Sequence, residues 1–216
     1  MHMKINLKYC FIVLFHLLVL KSLGQEKGFI IIENESEIKS KLNELTSSTQ
    51  TIQSDFIQEK HLSFLSEKII SKGKFAFKNP NLLRWEYAEP INYIIVFNNK
   101  NILINDDGKI SKYDTQSNKM FSEINNMMVG TIQGSLFNDT ERFNVKFLES
   151  EKQYLLELNP KMHEMKSMLK SIKIFIDKYD NSVASIKMIE TSDDYTKIDF
   201  VNRKLNQPIN DDKFKL

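Results

Sequence analysis

Cysteine is almost missing from this chain: Cys10 is the only one in 216 residues. A single thiol forms no internal disulfide, so the fold must be held by its apolar core. Glycine is scarce too, six in all, with no phosphate-binding loop and no dinucleotide fingerprint among them. No serine stands in a G-x-S-x-G elbow. Of four histidines, only His61 and His163 lie beyond the N-terminal segment, far apart and without a ligand-spaced partner, so solvated surface histidines are the better reading than a metal pair. Asp106-Asp107, Asp193-Asp194 and Asp211-Asp212 are paired acids beside turn residues or a terminus, and turn and cap chemistry accounts for them. These residues lead us to expect no enzyme, no metal and no cofactor.

Long hydrophobic runs are also few. The one from Cys10 to Leu20 follows Lys4 and Lys8 and precedes Ser22-Leu23-Gly24, which predicts a secretory signal peptide over residues 1–24, cleaved after Gly24. The run is too short to span a bilayer. Cys10 opens the run rather than ending it, which argues against a lipidated cysteine. The chain has 30 Lys+Arg against 28 Asp+Glu, and loss of Lys4, Lys8 and Lys21 leaves 27 against 28. A near-neutral mature chain carries no basic footprint for nucleic acid. Residues 25–216 are the size of one domain, exported and without cysteine.

Against these absences stands an aromatic supply of 15 Phe, seven Tyr and one Trp. It is concentrated around Gly73 to Pro90, GKFAFKNPNLLRWEYAEP. Phe75 and Phe77 alternate with Lys74, Ala76 and Lys78. After the turn Asn79-Pro80-Asn81, Leu83, Trp85 and Tyr87 share one face and Leu82, Arg84 and Glu86 the other. Pro80 cannot donate to a ladder and belongs in the connection. The pattern is a hairpin with one aromatic face and one wet face.

Elsewhere, Gln25 to Ile32 is unspecific, loose or an early helical turn. Ile38, Leu42 and Leu45 form the apolar stripe of a helix over Glu33–Ser47. Ile52, Ser54, Phe56 and Gln58 alternate as a strand. Leu62, Phe64 and Leu65 either continue that strand or form an apolar loop tip. Tyr93 to Phe97, Asn101 to Asn105 and Lys109 to Tyr113 extend a meander. Phe121, Ile124, Met127, Met128 and Ile132 predict one or two short helices over 122–140. Strands resume at Phe143 and Tyr154, Met162 to Ser171 is a helical turn or two, and Ile172, Val183 and Tyr195 open the last strands. Pro208 to Leu216 closes the sheet or lies on its rim. About ten or eleven antiparallel strands are more than a flat sheet accommodates. The expected fold is mainly β, a strongly curved, incomplete barrel covered by an N-terminal helix and short mid-chain lid helices.

Seven methionines follow residue 24, six of them in the two helix-like inserts. They are either ordinary core filling or a soft lining for a flexible apolar guest. Arg84, on the wet face, pairs with Glu86 or a neighbouring acid, an interaction worth little at a surface.

The Gly73–Pro90 hairpin resembles the signature hairpin of the periplasmic outer-membrane lipoprotein carrier (LolA) family. Ser54-Asp55-Phe56-Ile57-Gln58 is similar to that family's first strand, Tyr93 to Lys112 to its next ones, Leu158-Asn159-Pro160-Lys161 to a mid-chain motif and Ile209 to Phe214 to its ending. The resemblance implies a cavity for acyl chains, with Phe56, Phe75, Phe77, Leu83, Trp85 and Tyr87 on the concave side and Met127, Met128 and Met165 in its cover. Members carry a lysine-arginine pair before the signature proline, and that arginine bonds the lid helices. Here Asn79 follows Lys78, and a short amide cannot reproduce a charged five-donor fork; Asn79 is thus the lid-control position.

The resemblance further implies a monomeric periplasmic carrier whose cargo is acylated lipoproteins, received from an inner-membrane ABC-type releasing complex and handed to the outer membrane, with no nucleic acid involved. Leu62, Phe64 and Leu65 are candidates for membrane or partner contact in that handover. The alternative keeps the cavity and changes the guest to another envelope amphiphile, a glycolipid or pigment-like lipid.

Overall fold

Asn34 begins the first helix. Its side-chain oxygen accepts from the Glu37 N–H, Glu35 and Glu37 occupy the first turn, and the helix α1 (Glu35–Ser47) follows, as an N-cap with acids at the positive end of the dipole favours. The structure is a computed structural model and describes residues 26–98, 101–114, 129–132 and 134–216. Ahead of α1 comes β1 (Ile30–Ile31), a two-residue strand where a loose start or helical turn was expected; it pairs with Leu148 and Glu149. After α1 come β2 (Thr51–His61), β3 (Ile69–Lys78), β4 (Leu82–Glu89), β5 (Tyr93–Asn98), β6 (Asn101–Asp106) and β7 (Lys109–Asp114).

Residues 129–132 are helical, and a 3-10 turn covers Ser135–Asn138. Residues 122–128 and 133 of the helical segment expected over 122–140, with Met127 and Met128, lie outside the described residues. Then come β8 (Phe143–Glu149), β9 (Gln153–Pro160), the single-turn helix α2 (His163–Lys166), β10 (Leu169–Asp177), β11 (Val183–Glu190), β12 (Tyr195–Leu205) and a 3-10 turn at Asp211–Phe214.

All twelve strands join one antiparallel sheet in the order β1-β8-β9-β10-β11-β12-β2-β3-β4-β5-β6-β7, with β1 and β7 as its two ends. The barrel is open. Its turns follow the expected chemistry: Asp107 (φ 49°) and Gly108 (φ 92°) join β6 to β7, a left-handed pair that suits a tight hairpin.

The concave side has two halves. One is filled: Ile38 and Leu42 of α1 pack with Leu136 and Phe137 on Phe143, Phe147, Leu156, Leu158, Ile172 and Ile174. The other is lined by Phe56, Phe75, Phe77, Leu83, Trp85, Phe97 and Phe200 with Val129 above them. Among the described residues, α1 fills one half of the hollow and a cavity remains in the hairpin half.

The convex face is less wet than alternation predicts. Ala76 and Val96 are buried there beneath Ile209 and Phe214. The C-terminal segment lies across the back of the sheet rather than closing it or following its rim. Arg84 clamps it, donating to the carbonyls of Lys213 (3.3 Å) and Lys215 (3.1 Å) while its Nε meets Glu86 at 2.8 Å. Lys78 adds a bond to the Ile209 carbonyl. Arg84 therefore does more than pair with a neighbouring acid.

Candidate functional site

Period-two alternation places every second residue of a strand on the concave side, and register then lines these residues up across strands. Ser54, Phe75, Trp85 and Ile95 are partners in one cross-strand row. The next row holds Phe56, Gly73, Tyr87 and Tyr93. Gly73 is there for space: a Cβ would lie 2.6 Å from Phe56 Cζ and overlap the Glu86 carbonyl oxygen. The Phe56 ring fills that gap and meets Trp85 (4.7 Å between centroids) and Tyr87 edge-on (5.1 Å). Phe75 stands edge-on to Trp85 (5.3 Å) and to Phe200 (5.5 Å).

Beside these rings lies a cavity of about 370 Å³. Phe75, Trp85 and Tyr87 line it, with Ile52, Ile95, Ile198, Phe200, Ile186 and Met188 on the other strands and Thr131, Ile132 and Leu136 across the top. Phe56, Phe77 and Leu83 belong to the same apolar cluster but stand behind the lining, fully buried. Met165 lies elsewhere: it packs against the filled half beneath α1. Met188, which the sequence analysis did not single out, is the methionine in the wall among the described residues.

A space of this kind takes the methylenes of an acyl chain.

The wall is not wholly apolar. Tyr87 donates from its hydroxyl to Gln58 Oε1 at 3.0 Å. Burial raises the Tyr87 pKa above the ordinary phenol value, against the opposing effect of the nearby Trp85 indole. Arg203 also reaches the cavity. Alternation from Ile198 and Phe200 would turn Asn202 inward and Arg203 out, but Asn202 has φ 55° and the register slips between Val201 and Lys204. This bulge re-aims one side chain. Asn202 reaches Asp55 on the outside, and Arg203 turns in to Asp177 and Asp180, each at 3.0 Å, and to the Phe200 carbonyl at 2.9 Å. Burial alone would push the Asp180 pKa up, yet bonds from Arg203 and Ser182 hold it below the ordinary value.

The cover over the cavity is fastened to α1. Asn138 Nδ2 donates to Asn43 Oδ1 at 2.9 Å, and Gly134, at φ 77°, lies so close to Thr46 that a Cβ would collide with the threonine oxygen. Asn79 lies at the β3–β4 turn and bonds Gln50, backbone N–H to carbonyl at 2.8 Å and side chain to side chain at 3.3 Å. Leu62, Phe64 and Leu65 form the β2–β3 loop rather than a continued strand, with Phe64 78% exposed. Among the described residues no three His, Cys, Asp or Glu side chains gather as a metal site, and no helix is long and apolar enough to cross a membrane.

Known proteins share this architecture. An uncharacterized conserved protein from Thermus thermophilus superposes with a TM-score of 0.51 at 9% identity, covering 84% of this chain and 93% of that one. MucB in the MucA/MucB complex of Pseudomonas aeruginosa gives 0.50 at 9%, over 84% and 60%, and a LolA superfamily protein from Nitrosomonas europaea gives 0.42 at 11%, over 84% and 97%. At such identities the likeness is one of fold. A search of curated proteins matched none. The profile of the outer membrane lipoprotein carrier protein LolA matches residues 47–216, from the end of α1 through every strand after it. The chain belongs to the outer membrane lipoprotein carrier protein LolA family.

Proposed function

We propose that this protein is a periplasmic carrier that shelters the acyl chains of outer-membrane lipoproteins on their way from an inner-membrane ABC-type complex to the outer membrane. The observation that carries the reading is the aromatic-walled cavity in the hairpin half of the barrel. Each CH₂ moved from water into such a wall is worth about 0.8 kcal/mol, so the methylenes of an acyl chain hold firmly without any chemical step. Release then needs apolar ground on the acceptor and a cover that opens. The Asn43–Asn138 bond is an exposed one and yields at small cost, about 1 kcal/mol. Residues 1–24, read as a signal peptide, bring the chain to the periplasm. The β2–β3 tip, with Phe64 and Leu65 exposed and Ile69 and Ile70 beside them, is the surface for contact with membrane or partner during handover.

The same cavity admits one further reading. Its apolar wall would suit another envelope amphiphile, a glycolipid or pigment-like lipid, as the guest. Native mass spectrometry decides between the two, on residues 25–216 purified from the periplasm of a host that overproduces an outer-membrane lipoprotein. The carrier reading expects a one-to-one complex with the acylated lipoprotein that is lost with the unacylated form. A small amphiphile in its place, with lipoproteins ignored, would move the function to the second reading.

A further inference from the structure

Among the described residues the cavity has one charged side chain in its lining, Arg203. Its two carboxylate partners, Asp177 and Asp180, stand outside that lining. Asp177 instead lines a separate groove at the rim of the sheet, beside the β10–β11 turn. The 3.0 Å bond from Arg203 Nη2 to Asp177 Oδ2 thus joins the lining of the cavity to the lining of the groove.

Register shows which end of the cavity this is. Arg203 precedes Lys204, which pairs with Gln53 near the start of β2. The exposed Phe64 tip follows the far end of that 11-residue strand, about 35 Å away along it. An amphiphile in an apolar hollow keeps its polar end where polar partners remain. Tyr87 and Gln58 are bonded to each other, whereas Arg203 leads to the rim. The polar end of a guest belongs there.

The groove continues from that point. Lys27 and Phe29 of the N-terminal segment, Lys152 of the β8–β9 turn, and Lys178 and Tyr179 form its sides, and the Tyr179 ring is 94% exposed. Around it Lys27, Lys152, Lys178 and Arg203 are matched by Glu149, Glu151, Asp177 and Asp180. Four charges of each sign leave no net field to draw in a phosphate. They suit an uncharged polar chain that carries both donors and acceptors, and a polypeptide backbone is such a chain. At about 3.3–3.6 Å per residue, two or three residues beyond a lipid anchor are enough to pass the ion pair.

We propose that the polypeptide of a bound lipoprotein leaves the cavity over the Arg203–Asp177 pair and runs in the groove beside Tyr179, at the end of β2 opposite the Phe64 tip. This rests on the carrier reading and adds to it the direction in which the cargo lies.

The test is a pair of distances measured by pulsed electron spin resonance. Residues 25–216 contain no cysteine, so Tyr179→Cys and Phe64→Cys each place a single spin label at an exposed site. The second label sits on the third residue after the acylated cysteine of a lipoprotein, and native mass spectrometry first establishes the one-to-one complex. The distance to position 179 should be the shorter, by roughly 20 Å or more given the length of β2. Equal distances, or the shorter one to position 64, overturn the proposal and leave the carrier reading standing. Failure of the complex itself overturns both.

Discussion

Phe56 lies over Gly73, the residue paired with it on the neighbouring strand, and its ring occupies the space a side chain there would need. The hairpin's aromatic face depends on this one missing Cβ. Gly73→Ala should push the Phe56 ring out of its contacts with Trp85 and Tyr87 and lower stability by at least the roughly 1–3 kcal/mol typical of overpacking. Denaturant unfolding measures it. A neutral result would mean that the backbone yields there more easily than the packing implies.

The C-terminal segment should be part of the fold's stability rather than a tail. Phe214 is fully buried on the convex face with Ala76 and Val96. Phe214→Ala should cost about 3–5 kcal/mol, read as a lower midpoint in chemical denaturation.

Arg203 should show its worth through the charges it leaves behind. Removing it by Arg203→Ala strands Asp177 and Asp180 in a partly covered wall. The cost should be about 1–3 kcal/mol, short of the roughly 3–5 kcal/mol for a fully buried pair because both carboxylates keep some solvent contact. The double replacement with Asp180→Asn should recover part of it.

Acid sensitivity follows with a definite sign. The folded-state pKa of Asp180 is depressed, so its contribution is complete above the ordinary aspartate value of about 3.9 and is lost as pH falls through the lower folded value. The stability of Asp180→Asn should therefore fall less than that of the wild type as pH drops below about 4, in thermal melts across that range.

Much of this site was legible as alternation, and the parts that were not have identifiable causes. Phe75, Trp85 and Tyr87 could be placed on one face because the pleat is regular on both sides of the Asn79-Pro80-Asn81 turn, from Gly73 to Lys78 and from Leu82 to Tyr87. Ile198 and Phe200 carry the same signal, but Arg203 does not. Its inward turn depends on a bulge at Asn202, and one inserted residue inverts the parity that the eye follows along a strand. β1 is two residues long, too short for any period to register. Met165 and Met188 show a different limit. Both look like candidate lining by composition, and only the placement of α1 in the left half of the sheet order decides which half is filled. Ile209 and Phe214 read as a closing strand or rim because nothing local says that Ala76 and Val96 leave a shallow apolar seat behind the hairpin.

The central claim is that acyl chains enter the cavity beside Trp85, the chain's only tryptophan. Its fluorescence therefore reports that wall alone. Titration of the mature protein with a lipopeptide whose acyl chains carry bromine should quench the emission in a saturable, one-to-one manner, and the same peptide without its chains should leave it unchanged. Binding of the brominated lipopeptide with Trp85 emission untouched would place the chains elsewhere and contradict the account.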